Sequence, residues 1–303
     1  MTSTAVHCDI GLRESLEDGA LAAQFTIPSI GRVAHLTACD GVGGHQFGEV
    51  ASALALAQIH GSTAANMASA QQILADVEGR SDEIARILND TLLSANQLIL
   101  GEAQAAPELS GMATTVVCAV VFDDILIVGW AGDSRCYLLS EGRLRRITHD
   151  HSRVQELLDM GMVSFEDAAS HPEAHTITRY LGQPDGFVPE LRICSIRPGD
   201  TVLLCTDGVS DVLADCDIER SMKACLAARN GCRRLPNLLI EEALAAGASD
   251  NLTVLCYQHE AAQVIDENLG RTSTGEYPVV VARTLHALHK EIQDEQYVHL
   301  GTA

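Results

Sequence analysis

Short apolar segments separated by very short connections constrain this chain more than any other feature. Residues 114–122 and 125–131 are two such segments, rich in β-branched side chains, and only Asp123 and Asp124 lie between them. A two-residue connection joins antiparallel strands, because parallel strands need a crossover of a dozen or more residues. Segments of the same type recur at 33–39, 135–139, 143–147, 201–205 and 252–257. The sequence therefore predicts antiparallel sheets.

Helical patterns lie between these predicted strands, at residues 49–60, 81–105, 218–228 and 235–246. In the longest of them, Ile84, Leu88 and Leu92 recur every four residues, on a stripe that we interpret as a core face. The order of strands and helices is mixed and does not alternate strictly as in βαβ folds. We therefore expect an α+β fold in which helices cover the outside of antiparallel sheets.

Two regions depart from this pattern. Residues 149–189 contain short amphipathic pieces and several histidines but no strand signal, so we expect an excursion on the surface of one domain that spans residues 1–258. We interpret its histidines as exposed or capping groups: His149, His151, His171 and His175. Residues 259–303 form a C-terminal extension, in which 279–299 has a helical pattern. This extension is either a linker with a packed terminal helix or a helix that binds a partner.

Composition excludes several classes of partner. The chain has 20 Lys plus Arg against 41 Asp plus Glu, a formal charge of −21 that would repel nucleic acid and anionic membrane surfaces. No apolar stretch approaches the roughly 20 residues that span a membrane, and the N-terminus has no basic segment followed by an apolar run. The ten cysteines lack zinc-ligand spacing and are interpreted as reduced, mostly buried residues. We expect a cytoplasmic protein of undetermined oligomeric state that neither binds nucleic acid nor inserts into membranes.

Four aspartates stand at the boundaries of predicted strands. Asp40 and Asp207 lie at the ends of two apolar segments, and each precedes a glycine. Asp133 follows a third segment, and Asp250 comes just before the last one. A single Asp-Gly after a strand is usually an ordinary turn. Carboxylates that lie together repel one another unless they are protonated or neutralised by cations, and hard oxygen ligands suit Mg²⁺ or Mn²⁺. The fourfold pattern therefore indicates a two-metal hydrolytic centre.

An arginine near the N-terminus extends this acidic pattern. Arg13 lies four residues before the pair Glu17 and Asp18. Its planar guanidinium matches the oxygens of a phosphate group, and the two carboxylates are suited to extend a metal shell. The alternative interpretation is a solvated ion pair at the surface, which is the commoner role of an arginine beside a glutamate.

In this order, the segments resemble the protein phosphatase 2C family of metal-dependent serine/threonine phosphatases, and its bacterial branch in particular. The resemblance covers residues 7–258. It depends on eight segments: RESLED (13–18), DGVGGH (40–45), GMATT (111–115), GDSR (132–135), THDHS (148–152), TRYLG (178–182), TDGVSD (206–211) and SDNLT (249–253). The family implies a four-layer α/β/β/α sandwich of two antiparallel sheets, with residues 149–189 as its variable flap. It also implies hydrolysis of phosphoserine and phosphothreonine by a water that bridges two metals, in opposition to a cognate serine/threonine kinase.

The resemblance also implies a set of metal ligands. Asp40 would bridge two Mn²⁺ or Mg²⁺ ions, and Asp207 and Asp250 would complete the first site. The carbonyl of Gly41 would contribute to the second site. Glu17 would support that second metal, either directly or through water.

Further roles follow from the same resemblance. Arg13 matches the arginine that binds the phosphate, and Asp133 matches an aspartate that helps to hold a weaker third metal. Three residues are expected to hold these groups in place without contacting the metal ions themselves: Asp18, Asp211 and Asn251. The residues expected to carry catalysis are Asp40, Asp207, Asp250 and Arg13.

Two positions depart from the family pattern. Val42 stands where many eukaryotic members have a histidine proposed as general acid, and Leu16 stands where bacterial members usually have asparagine. Neither change removes a metal ligand. Two other functions remain to be separated from a protein phosphatase. A phosphoprotein-binding module without catalysis would be expected to lack metal ligands, whereas a metallohydrolase for small phosphoesters or nucleotides would share them.

Overall fold

A computed structural model describes residues 3–42, 47–168 and 170–260, and within them the chain forms two five-stranded sheets. The strands are β1 (Ser3–Asp9), β2 (Gly19–Ile27), β3 (Gly31–Cys39), β4 (Val116–Phe122), β5 (Ile125–Ala131), β6 (Arg135–Ser140), β7 (Arg143–Arg146), β8 (Glu190–Ser195), β9 (Thr201–Cys205) and β10 (Leu252–Gln258). Sheet A has the order β1-β10-β9-β6-β7, and sheet B has the order β2-β3-β4-β5-β8. Every neighbouring pair is antiparallel, which confirms the prediction from the short connections.

Helices cover the outer faces of both sheets. They are α1 (Gly48–Ser69), α2 (Arg80–Ala105), α3 (Arg153–Asp159), α4 (Phe165–Ala168), α5 (Asp207–Ser210), α6 (Asp215–Leu226) and α7 (Gly231–Ala245), with a 3₁₀ turn at Pro107–Leu109. The long pair α1 and α2 packs on sheet B, whereas α6 and α7 pack on sheet A. The architecture is therefore the four-layer α+β sandwich that the sequence analysis expected.

Three apolar cores hold the layers together. Leu36, Trp130 and Leu204 belong to the core between the two sheets, and all three are fully buried. The second core joins sheet B to α1 and α2 and contains the predicted stripe of α2. The third joins sheet A to α6 and α7. Because the inner strands are covered on both faces, they read as continuous apolar runs, and β4 is buried along its whole length.

Three strands were not predicted, namely β1, β2 and β8. β2 reads GALAAQFTI and is alanine-rich, whereas β8 is an edge strand with charged, partly exposed residues. Strand propensity in such segments is weak, and their pairing comes from neighbours far along the chain. Helix α1 also continues to Ser69, past the predicted end at residue 60.

The excursion at 149–189 carries α3 and α4, is closed on itself by an isolated bridge between Ser152 and Ile177, and is joined to the rest of the domain by a bridge between Leu181 and Thr114. Residues 261–303, with the helix predicted at 279–299, lie outside the described residues, so the domain boundary stays a prediction. No helix in the described ranges is long and apolar enough to cross a membrane. Eight of the ten cysteines are buried, and no disulfide forms in the part of the chain that the structure describes.

Candidate metal centre

Strand direction brings the aspartates to one end of the sandwich. β3 of sheet B ends at Cys39 and delivers Asp40, and β9 of sheet A ends two residues before Asp207. Asp133 follows β5, and Asp250 precedes β10, which runs antiparallel to β9. Both sheets therefore contribute carboxylates to the same end of the sandwich.

At this end of the sandwich lies a cavity of about 800 Å³, which we call the acidic cavity. Eight of the residues selected from the sequence line it: Arg13, Glu17, Asp40, Gly41, Asp207, Asp211, Asp250 and Asn251. Asp18 and Asp133 are not among the lining residues, but both lie close enough to Asp207 to interact with it electrostatically. The structure thus assembles the whole predicted set in one place, including residues that are more than 230 positions apart.

Burial and mutual repulsion dominate the electrostatics of the acidic cavity. Burial, reinforced by the neighbouring Asp207 and Asp18, raises the pKa of Asp40 well above its usual range. Burial and the charge of Asp207 do the same to the pKa of Asp133. Burial also raises the pKa of Asp18 to about 7 and that of Asp211 to about 6. The carboxylates can share this space only with protons or with cations.

The donor set fits divalent cations. One carboxylate oxygen of each of Asp18, Asp133 and Asp207 is buried without a hydrogen-bond partner. Such oxygens are expected where an ion or its waters complete the coordination. Within the described ranges, no three acidic, histidine or cysteine side chains enclose an ion by themselves.

Asn251 holds the loop that carries Arg13. Its amide oxygen accepts a hydrogen bond from the backbone N–H of Glu17 at 2.7 Å, and its amide nitrogen donates to the carbonyls of Ile10 and Ser15. A glycine is required at position 11, since φ is +61° and a Cβ atom would lie 2.0 Å from the carbonyl oxygen of Asp250. The loop between β1 and β2 is therefore clamped onto the start of β10.

Arg13 itself is half exposed and forms an ion pair with Asp250, at 2.5 Å between Nη2 and Oδ2. The sequence analysis gave these residues separate partners, a phosphate for Arg13 and a metal for Asp250. In the structure Arg13 lines the acidic cavity, and its guanidinium contacts the carboxylate of Asp250.

The backbone around Asp40 is fixed by two threonines of the GMATT segment. Thr115 donates from its backbone N–H to the carbonyl of Asp40 at 2.8 Å, and the hydroxyl of Thr114 donates to the same oxygen. On the other side, the N–H of Gly41 donates to the carbonyl of Glu17. These contacts place Gly41 and Glu17 side by side, as a shared metal site would need.

Thr206 performs a similar role beneath the acidic cavity. Its hydroxyl donates to Asp18 at 2.9 Å and accepts from the N–H of Thr253. The sequence analysis assigned no role to Thr114, Thr115 or Thr206. In the sequence, these threonines stood out only because they belong to segments that carry the family resemblance. The hydrogen bonds that they form join elements far apart in the sequence, so no local pattern indicated them.

The histidines of the flap divide into two groups. His151 is buried rather than exposed, since its Nδ1 accepts from the N–H of Gly132 and its ring stacks on Trp130. His175 is 80% exposed but lines the acidic cavity, with Nδ1 3.4 Å from Asp211. The interpretation as surface groups was therefore wrong for His151 and incomplete for His175. Val42 does line the cavity, without a titratable group.

The fold and the acidic cavity are those of a known class of protein. Residues 18–241 match the family model described as Protein phosphatase 2C, and the chain therefore belongs to that family.

Individual members of this family are similar along most of the chain. The serine/threonine phosphatase stp of Listeria monocytogenes is 31% identical over 224 residues, which cover 74% of this chain and 84% of the relative. The crystal structure of the Mycobacterium tuberculosis serine/threonine phosphatase PstP/Ppp matches with a TM-score of 0.70 and 34% identity, over 86% of this chain and 99% of that one. The catalytic domain of PstP in complex with two manganese ions matches with a TM-score of 0.67 and 31% identity, over 85% and 97%.

Proposed function

We propose that this protein is a metal-dependent protein serine/threonine phosphatase that hydrolyses phosphoserine and phosphothreonine. The observation that carries the proposal is the acidic cavity, in which carboxylates from both sheets surround a space with one arginine at its mouth. Such a cavity attracts divalent cations, and the arginine matches the oxygens of a phosphoryl group.

Mn²⁺ or Mg²⁺ would be held by the cluster of oxygen donors. We assign Asp40 as the bridging ligand, Asp207 and Asp250 to one core ion, and the carbonyl of Gly41 with Glu17 to the other. The unpartnered oxygen of Asp133 supports its assignment to a weaker third ion. When bound, such ions would supply an activated water as the nucleophile and would stabilise the charge of the phosphoryl oxygens.

The chain's own groups bind and orient the substrate. Arg13 would hold phosphoryl oxygens through its planar guanidinium, and Asn251 fixes the loop that carries it. Val42 offers no proton to the leaving serine or threonine oxygen, so we expect a water held in the acidic cavity to supply it. A cysteine nucleophile is disfavoured, because burial raises the pKa of Cys205 to about 12 and that of Cys39 well above its ordinary value.

The test is hydrolysis of phosphoserine and phosphothreonine peptides by the full chain with Mn²⁺, with Mg²⁺ and with a chelator. We expect activity with either ion, and a loss of about 100-fold or more in kcat for Asp207→Asn, which keeps the size of the side chain but removes its charge. Asp185→Asn, at an exposed position of the flap, is the matched control. Inactivity with both ions, or full activity of Asp207→Asn, would refute the proposal. Competition between phosphopeptides and nucleotides or aryl phosphates separates a protein phosphatase from a small-phosphoester hydrolase.

We also propose that the substrates are proteins phosphorylated by a cognate serine/threonine kinase in the cytoplasm. The names of the similar bacterial proteins, which describe serine/threonine phosphatases, support the substrate class. The cytoplasmic location and the kinase stay predictions from the sequence.

A further inference from the structure

A second cavity, of about 320 Å³, lies far from the acidic cavity, and we call it the distal cavity. Its walls come from the β6–β7 hairpin, the end of β8 and the turn that precedes β9. The lining residues are Leu138, Ser140, Glu141, Arg143, Arg145, Ser195, Arg197 and Asp200. Three of these eight residues are arginines, in a chain with only 20 basic residues and a formal charge of −21.

Strand direction places the distal cavity at the opposite end of the sandwich. β6 starts two residues after Asp133 and ends at Ser140, and β9 starts one residue after Asp200 and runs toward Asp207. Six residues of β6 span about 17 Å. The two cavities are therefore separated by at least the length of a strand, and the distal cavity shares no lining residue with the acidic cavity.

The register of the hairpin sets the direction of two arginines. Arg143 is paired with Ser140 and Arg145 with Leu138, so these four side chains lie on one face of sheet A. Leu138 belongs to the core between the sheets, which shows that this face is the inner one. Both arginines are exposed and stand on the edge strand of sheet A, at the open margin of the inter-sheet core.

The two acidic residues that line the distal cavity both contact Arg197, and outside the cavity wall Arg143 interacts electrostatically with Glu219. Glu141 is ion-paired with Arg197 at 2.5 Å, and Asp200 accepts a hydrogen bond from the backbone N–H of Arg197 at 2.9 Å. Neither Arg143 nor Arg145 forms an ion pair in the described part of the chain, whereas many other arginines of the protein do. Inward-pointing charges on an edge strand also discourage pairing with other chains. That role explains the charges, but it does not require a cavity of this size between them.

Two guanidinium groups two residues apart on one strand face lie about 7 Å apart at their bases and can converge on a single phosphate. Ser140 and Ser195 line the same cavity, and each has a hydroxyl that can donate a hydrogen bond to a phosphate. We propose that the distal cavity binds a second phosphorylated serine or threonine side chain of a protein substrate while the first is in the acidic cavity. This proposal rests on the proposed function, since it concerns phosphoproteins. It predicts a preference for substrates that carry several phosphates.

Binding is tested directly with the full chain. A fluorescent phosphoserine peptide and its unphosphorylated counterpart are titrated in a chelator, so that no hydrolysis occurs, and their anisotropy is measured. We expect the phosphopeptide to bind more tightly, and the double variant Arg143→Gln/Arg145→Gln to weaken it about tenfold or more. Arg229→Gln/Arg233→Gln makes the same charge change at two exposed positions and should leave binding unchanged. Equal weakening in both variants, or equal binding of the two peptides, would overturn the proposal. If inorganic phosphate displaced the phosphopeptide at concentrations no higher than the Kd of the peptide, the distal cavity would be a site for free phosphate, and the proposal would be overturned.

Kinetics with Mn²⁺ then connect the two cavities. A peptide with two phosphoserines about 12 residues apart can extend over about 40 Å and should show a KM several-fold below that of a singly phosphorylated peptide. In Arg143→Gln/Arg145→Gln this advantage should disappear, while kcat and the KM of the singly phosphorylated peptide stay unchanged. If the advantage persists in that variant, the proposal is wrong. A complete lack of hydrolysis would refute the proposed function instead, and the binding experiment would still decide the role of the distal cavity.

Discussion

Asp18 makes the stability of the metal-free protein depend on pH. The residue is 8% exposed, and one of its carboxylate oxygens accepts a hydrogen bond from Thr206 while the other is buried without a partner. Burial, opposed by the nearby hydroxyls of Thr253 and Thr206 and reinforced by Asp207 and Asp250, raises its pKa from 3.8 to about 7. Between these two values the folded protein holds a proton that the unfolded chain has released. Raising the pH through this window therefore destabilises the fold.

The magnitude follows from the shift. About three pKa units correspond to on the order of 4 kcal/mol over the full window, and to about 2 to 3 kcal/mol between pH 5 and pH 7.5. Asp18→Asn removes the titration while an amide oxygen remains to accept from Thr206. We expect the free energy of unfolding of the wild type to fall by about 2 to 3 kcal/mol more than that of Asp18→Asn over this pH interval.

Urea unfolding of the full chain in a chelator measures this difference. Trp130 is the only tryptophan of the chain and is fully buried, so its fluorescence reports the unfolding of the inter-sheet core. Asp185→Asn, at an exposed position, should behave as the wild type. With saturating Mn²⁺ the dependence should weaken or reverse, because the cations replace the protons. Equal slopes for the wild type and Asp18→Asn, or a wild type that becomes more stable as the pH rises, would refute the reasoning.

Two further predictions concern the loop at the cavity mouth and the packing beneath it. Arg13→Ala should raise the KM for phosphopeptides about tenfold, with a smaller change in kcat, and Arg13→Lys should restore only part of the loss, because a lysine does not offer a planar fork. An unchanged KM in steady-state assays would remove Arg13 from phosphate binding. Gly208→Ala should cost about 2 kcal/mol or more, since a Cβ atom would lie 2.0 Å from the carbonyl oxygen of Asn251. Gly61→Ala, in α1 with nothing within 4 Å, should instead stabilise the protein by up to about 1 kcal/mol, and urea midpoints of the two variants should move in opposite directions.

Local pattern was sufficient for the strands that are buried on both faces. β4, β5 and β9 consist almost entirely of buried apolar residues, so their positions were visible without knowledge of their neighbours. β1 and β2 were not visible, because their pairing with β10 and β3 is supplied by the rest of the fold. Helix α1 was predicted too short for a related reason, since the second half of α1 is less continuously apolar than the first.

The acidic cavity was predictable as a set of residues but not as an arrangement. Each aspartate could be found at a strand boundary, and the order of the segments indicated the family. The contact of Arg13 with Asp250 could not be predicted, because it spans 237 positions and depends on the register of β1 against β10. The same limit applies to His175, which enters the cavity from the flap.

The pairing of β1 with β10 also determines when this protein can become active during its synthesis. A growing chain that has reached residue 249 already contains Asp40, Asp133 and Asp207, but it lacks Asp250 and the amide of Asn251 that clamps the Arg13 loop. Until β10 is made, β1 has no neighbour in sheet A, and β9 lacks the strand that separates it from β1. β1 therefore gains its partner in sheet A only after β10 has been made. A chain that ends before residue 250 lacks both Asp250 and the clamp on the Arg13 loop, so we expect it to have no phosphatase activity.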